Sequence, residues 1–241
     1  MPSAIELARS SGLIFTGTVV DRGRSEVPLV PASPELLIVR VDRGLKVDAV
    51  HGDLSGRQVT VLPVAPAELE PGQQAVFFTN SWIHGQGIAV REVAHVDVAE
   101  EGAVAEAIAE LPRVQLRERL QAAELVAQGE VAELKAVERT SFARNAPEWL
   151  AATLRITRVL RGETRDEATL YFPTSNHPLW ARAPRLEEHQ RGVFLPHRAS
   201  RVVNVEQAGI AADTLVVVDP DDVQPESRLD ELEQLLAGAP E

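Results

Sequence analysis

Cysteine is absent from all 241 residues, and lysine is reduced to Lys46 and Lys135. Without thiols the chain forms no disulfide, presents no thiolate nucleophile and holds no cysteine-ligated zinc or iron–sulfur centre. A thiol-free chain is tolerated in reducing and oxidising compartments alike, so this absence does not assign one. No run approaches the ~18 consecutive apolar residues of a membrane span. The opening MPSAIELARSSGLIF lacks the basic region and unbroken apolar segment of a signal peptide. As it stands the chain reads as soluble and cytoplasmic, or as the mature part of an exported protein whose signal has been removed. G-x-S-x-G, H-E-x-x-H and a phosphate-cradling glycine loop are missing too, and with them the local signatures of a serine hydrolase, a zinc protease and a nucleotide site.

What remains is ordinary for a globular protein, with 44% hydrophobic and 25% charged residues. The length suits one large domain or two small ones, and an internal duplication decides for two. LIFTGTVVD (13–21) matches LVAQGEVAE (125–133) at a shift of 112, placing Gly17 on Gly129 and Val19 on Val131. LLIVRVDRGLK (36–46) matches ATLRITRVLR (152–161) at 115, with Arg40 on Arg155 and Arg43 on Arg158. QVTVLP (58–63) falls on ATLYFP (168–173) at 110, and LEPGQQAVFFTN (69–80) on LEEHQRGVFLPH (186–197) at 117. Four matches in the same order, with drift confined to the intervening segments, mark a repeat whose loops have changed length.

Each repeat ends on a helical pattern, EGAVAEAIAEL (101–111) and ESRLDELEQLL (226–236). Leu229, Leu232 and Leu236 share one helix face, Ser227 is the expected N-cap, and Pro112 and Gly238 stand where stop signals belong. The predicted domains are 1–112 and 113–241, the second opening on a helical lead over 113–123. Within each, short Val-, Ile-, Leu- and Thr-rich runs between Gly/Pro/Asp/Asn clusters predict strands of a small antiparallel barrel. Leu154 and Ile156 alternate with Arg155 and Arg158, giving one buried face and one wet face. Gly17 and Gly129, inside strand patterns, predict bulges where a barrel turns a corner. Five strands and a helix in roughly 110 residues is the size of an OB-type barrel.

The order of these motifs resembles the netrin-like and TIMP-like OB-fold modules. The matching stretches are 13–19, 39–46, 59–62 and 72–78 in the first half, and 125–131, 154–162, 169–172 and 192–195 in the second. The resemblance implies an all-β chain of two tandem OB-like (netrin/TIMP-like) antiparallel barrels, each followed by a short C-terminal helix. The inhibitors of this fold chelate a protease zinc through an N-terminal cysteine, a mechanism closed to a chain without cysteine.

Candidate chemistry is sparse. His189 and His197, beside Glu187 and Glu188, stand eight residues apart along one strand and read as surface or loop histidines, not a metal pair. VDPDDV (218–223) lacks the glycine and terminal glutamate of a calcium loop and reads as a solvated turn. TSNHPLW (174–180) reads either as a ligand-contacting loop through His177 and Trp180, or as a turn with Trp180 packing back. Charge is uneven: 1–112 carries 15 acids and 8 bases, 113–201 carries 11 and 15, and 202–241 carries 10 and 1, for an overall −12. The locally basic stretch holds Arg139, Arg144, Arg155, Arg158, Arg161 and Arg165 with Trp149 and Tyr171, the cation-and-aromatic mixture of a single-strand binding face. The overall negative charge opposes that use. The expected function is a non-enzymatic binding or scaffolding protein with another protein as partner, without cofactor or metal. Its candidate binding residues are Arg155, Arg158, Arg161, Trp149, Tyr171, His177 and Trp180. The alternatives are single-stranded nucleic-acid binding through the second barrel and an enzyme whose site is assembled from residues distant in sequence.

Overall fold

Glu6 accepts from the Ser3 backbone N–H at 2.7 Å while the Ser3 hydroxyl accepts from the Glu6 N–H at 3.4 Å. This reciprocal cap starts helix α1 (Ala4–Ser10). It is seen in the computed structural model of the chain, which describes residues 2–64, 69–84, 87–137, 147–175 and 180–238. The chain divides into two units, Met1–Arg113 and Val114–Glu241.

In unit 1 the strands are β1 (Leu13–Arg22), β2 (Leu37–Lys46), β3 (Gln58–Leu62), β4 (Gln74–His84) and β5 (Ile88–Asp97). They close into a barrel in the order β1-β2-β3-β5-β4, all neighbours antiparallel except the parallel pair β3·β5. Leu13, Phe15, Val39, Val59, Val61, Phe77 and Val90 fill the interior. Residues between them on β1 and β4 point outward yet stay apolar, because Ile14, Val76 and Phe78 lie under Leu7 of α1 and Val104 and Leu111 of helix α2 (Glu101–Ala122). Strands buried on both faces read as continuous apolar runs, as LIF and AVFF do. Each such side chain withdrawn from water contributes about 1.5–3 kcal/mol.

In unit 2 the strands are β6 (Val126–Ala136), β7 (Trp149–Arg161), β8 (Glu167–Pro173), β9 (Arg191–Phe194), β10 (His197–Arg198), β11 (Leu215–Val216) and β12 (Val223–Gln224). Two short helices, α3 (Ala199–Val202) and α4 (Val205–Ala208), separate β10 from β11. Helix α5 (Leu229–Ala237) follows β12. The sheet runs β10-β11-β8-β7-β6-β9-β12 and curls into a half-barrel rather than the second closed barrel expected. Between β9 and β10 stand only Leu195, whose N–H donates to the Asp222 carbonyl at 2.8 Å, and Pro196, which has no N–H.

The internal order of the two units is closely parallel. Pairing of β1 with β2 shifts register at Ile14/Phe15, Thr16/Gly17 and Val19/Asp21; pairing of β6 with β7 shifts at Val126/Ala127, Gln128/Gly129 and Val131/Glu133, each displaced by 112. The glycines are required by close approach: a Cβ on Gly17 would meet the Arg40 carbonyl oxygen at 2.8 Å, and one on Gly129 the Arg155 oxygen at 2.4 Å. One turn carries a left-handed residue in both copies, Gly72 (φ 93°) and His189 (φ 66°), whose N–H groups donate to Val19 and Val131 at 2.8 Å. The ladders also correct one match. Val39 opposes Val59 and Leu154 opposes Ala168, so with β2 and β7 aligned at 115 the third strand aligns at 109, not 110. A one-residue slip exchanges the faces of a strand, and only 109 places buried Val59 and Val61 on buried Ala168 and Leu170.

Two helix boundaries also differ from expectation. Pro112 lies inside α2, which continues to Ala122 and joins the terminal helix of unit 1 to the lead of unit 2. Leu116 and Leu120 of its second half pack in unit 2 with Leu232 and Leu235 of α5. Ser227 is not the cap of α5: it sits in a 3-10 turn over 226–228, and the N-cap is Arg228, without a side-chain capping bond. Gly238 does end α5.

Candidate functional site

The residues nominated from the sequence occupy separate structural posts. Trp149 is buried, its indole N–H donating to the Ala208 carbonyl at 2.8 Å. Trp180 meets it edge to face at a centroid distance of 5.7 Å, and half-buried Tyr171 joins the same cluster with Ala199, Ala208 and Val216. The aromatic rings thus hold α3 and α4 against the sheet. Arg155 is exposed on β7 opposite Glu130 and Glu167. Arg158 pairs with Glu233 of α5 at 2.5 Å. Arg161 donates to the carbonyls of Leu120, Gln121 and Ala123, closing the C-terminal end of α2. Its counterpart in unit 1, Lys46, donates to Ala8 and Ser11 beside the end of α1 at 2.8 and 2.7 Å. His177, Arg139 and Arg144 lie outside the described residues.

The strongest convergence of charge lies elsewhere in unit 2, at Asp222. The turn over 218–222 is built by its own carboxylates: Asp219 accepts from the Asp221 N–H at 3.0 Å, and Asp222 Oδ2 accepts from the N–H groups of Val218 and Asp219 at 2.8 and 2.9 Å. Pro220 opens the turn, where its missing N–H costs nothing. This geometry drives Asp222 Oδ1 inward, onto Arg119 Nε and Nη2 of α2 at 3.0 and 2.8 Å and onto His197 Nε2 of β10 at 3.1 Å. The Asp222 side chain is 0% exposed and that of His197 3%. Burial pushes the Asp222 carboxyl upward, but the His197 hydrogen bond, the Arg119 charge and the Asp219 N–H together outweigh it and hold the group below its ordinary range.

An ionised carboxylate only accepts, so the hydrogen between the two lies on His197 Nε2. His197 lines a cavity of about 480 Å³ with Gln115, Glu118, Arg119, Arg182, Asp219 and Asp221. With five donors on its two oxygens, Asp222 is an anchor for the turn and an orienting group for the imidazole; the groups facing the cavity are His197 and the residues at its mouth.

Two readings from the sequence are corrected here. His197 is a core residue, not a surface or loop histidine, and Asp222 of VDPDDV is the most enclosed carboxylate of the described residues, not part of a solvated turn. Asp219-Pro220 was a legible turn signal, but nothing local pointed to Arg119, which is 103 residues from Asp222. In unit 1 a smaller cluster forms where Glu92 bonds His95 Nδ1 at 2.5 Å and the Val64 N–H at 3.1 Å. Among the described residues no three His, Asp or Glu side chains come together as a metal site.

No protein-family model and no curated protein matches the chain. A solved structure described as "Structural mimicry for functional antagonism" shares 10% identity over 86% of this chain and 89% of that one, at a TM-score of 0.22. A likeness of that size carries no argument about fold or function. No helix among the described residues is long and apolar enough to cross a membrane.

Proposed function

We propose that the protein is a non-enzymatic binding protein built from a duplicated OB-like unit of netrin/TIMP-like type, and that it engages another protein. The observation that carries this reading is the repetition, at one constant offset of 112, of all three register shifts between the first two strands of each unit. The duplicated part is thus the strand-and-bulge scaffold, while the loops differ, the pattern of a binding module whose surface has diverged on a retained frame. The β1-β2-β3-β5-β4 order of unit 1 supports the OB-like assignment.

OB barrels bind with the loops between their first and second and their fourth and fifth strands. In unit 1 these loops meet: a Cβ on Gly87 would lie 3.0 Å from Val27 and 3.1 Å from the Glu26 oxygen. Leu29, on the β1–β2 segment, is left 78% exposed. A large apolar side chain in water suits a protein surface better than a nucleic-acid strand. The engagement of Trp149, Arg158 and Arg161 in internal contacts argues in the same direction.

The test is capture with the purified full chain, followed by reconstitution with the purified partner. We expect a direct complex that Leu29→Asp weakens at least about tenfold, a loss of about 1.4 kcal/mol, without a change in melting temperature. Salt-dependent retention of labelled single strands, abolished by Arg155→Glu with Arg158→Glu, would replace this reading with the nucleic-acid one. A hydrolytic rate abolished by Ser175→Ala would replace it with an enzyme.

A further inference from the structure

The chain passes from unit 1 to unit 2 once, inside α2, and the boundary between the units falls at Arg113/Val114. An uninterrupted helix across such a boundary is a semi-rigid spacer. Pro112, beside the boundary, interrupts this one: it has no N–H to offer the Ile108 carbonyl, and its ring crowds that carbonyl. The first half of α2 is fixed in unit 1 by Val104, Ile108 and Leu111, and the second half in unit 2 by Leu116 and Leu120. Between these anchors, Pro112, Arg113, Val114 and Gln115 join none of the buried clusters of the described residues. Pro112, Arg113 and Gln115 are exposed and Val114 is half-buried. The one ion pair that spans the proline, Glu110 with Arg113 at 3.6 Å, is exposed and adds little stiffness.

We propose that Pro112 is a hinge at which α2 bends, so that the two units reorient as intact bodies. A lost helical hydrogen bond, the division between the units and a gap in side-chain packing all fall within the same four residues. Bends in long helices concentrate at proline, where the hydrogen-bond ladder is already open. Hinge motion needs a few residues that absorb the backbone change between bodies that stay rigid. Here the bodies are two sets of cores, and bending at Pro112 leaves Leu111 and Leu116 in place. The end of α2 is held separately, since Arg161 donates to the carbonyls of Leu120, Gln121 and Ala123. In a binding protein of two units, such a hinge governs how far one unit reaches while the other is engaged. The hinge is independent of the protein-partner reading, and either can fail without the other.

The absence of cysteine makes the test direct. Ala105→Cys with Gln121→Cys puts the only two thiols at exposed positions of α2, one on each side of Pro112. Along a straight helix these positions stand about 24 Å apart, a separation that spin labels and pulsed electron resonance measure. We expect the labelled full chain to give a broad distance distribution that extends below the straight-helix value, and the same labels with Pro112→Ala to give a narrow one. Hydrogen exchange of the unlabelled chain supplies a second readout. The amides of Arg113, Val114 and Gln115 should exchange at least about tenfold faster than those of Ile108 and Leu120, and Pro112→Ala should slow them at least about tenfold. Distance distributions of equal width with and without Pro112, boundary amides as protected as those of Ile108 and Leu120, or exchange indifferent to Pro112→Ala would each overturn the hinge.

Discussion

Asp222 illustrates how one side chain can hold several elements of a unit. It joins α2 through Arg119, β10 through His197 and its own turn through two amides, while its backbone carbonyl receives Leu195. Removing one member of such a buried set leaves the others charged or unpaired, which costs far more than the set contributes as a whole. Asp222→Asn keeps the shape but loses the charge, and is expected to lower the stability of unit 2 by about 3–5 kcal/mol in urea denaturation. The same carboxyl predicts a pH dependence. Its folded value lies below that of the unfolded chain, which is about 3.9. Its contribution is therefore complete above that value and is lost as pH falls through the lower, folded one. The urea midpoint of unit 2 should drop as the solution is acidified below about pH 4, and Asp222→Asn should flatten that drop. An unchanged slope in the variant would show that another carboxylate governs it.

At the scale of elements, the clearest sequence signals were those with a steric cause. Gly17 and Gly129 could be read as bulges because a strand interior admits glycine mainly where another backbone comes close, as the Arg40 and Arg155 carbonyls do. Gly129→Ala forces a carbon to within 2.4 Å of a carbonyl oxygen, and should cost at least about 2 kcal/mol as an overpacking defect. Gly102→Ala, in the first turn of α2 with nothing within 4 Å of the new carbon, should instead stabilise by about 0.5–1 kcal/mol. Thermal denaturation of the two variants side by side checks both signs. Pro112 misled for the opposite reason. Proline in a helix interior costs about 3 kcal/mol, so it reads as a stop, yet Leu111 on one side and Leu116 on the other are anchored in separate cores. Packing of the flanking turns outweighs the local penalty, and that packing is invisible in a local window. Ser227 failed as a cap because a 3-10 turn precedes α5 and moves the cap to Arg228.

At the scale of the molecule, each unit encloses its own cores, and among the described residues no buried cluster draws from both. Chains of this kind melt in more than one step. Urea unfolding of the full chain should show two transitions. Trp149→Phe with Trp180→Phe should leave only the fluorescence of Trp82, which packs in the cluster of Val27, Val30 and Leu36 and reports unit 1 alone. A single transition shared by all probes would mean that the units unfold together. Acidification should then move the transition assigned to unit 2 ahead of the other, since Asp222 belongs to that unit.

The sequence by itself determined the features whose cause is local or repeated. These are the mostly β character, the division into two related halves, the glycine bulges, the amphipathic face of α5 and the exposure of Arg155 and Arg158. Alternation, turn residues and self-similarity are written in consecutive positions, where chain geometry converts them directly into structure. The tertiary structure alone decided that the second sheet stays a half-barrel, that α2 runs through Pro112, and that Trp149, Tyr171 and Trp180 form a packed cluster rather than a binding face. It also decided that Arg119, His197 and Asp222 meet. Their partnership depends on where a helix end, a broken strand and a turn are carried by the packing of everything between them, and side-chain chemistry read one residue at a time holds no record of that distance.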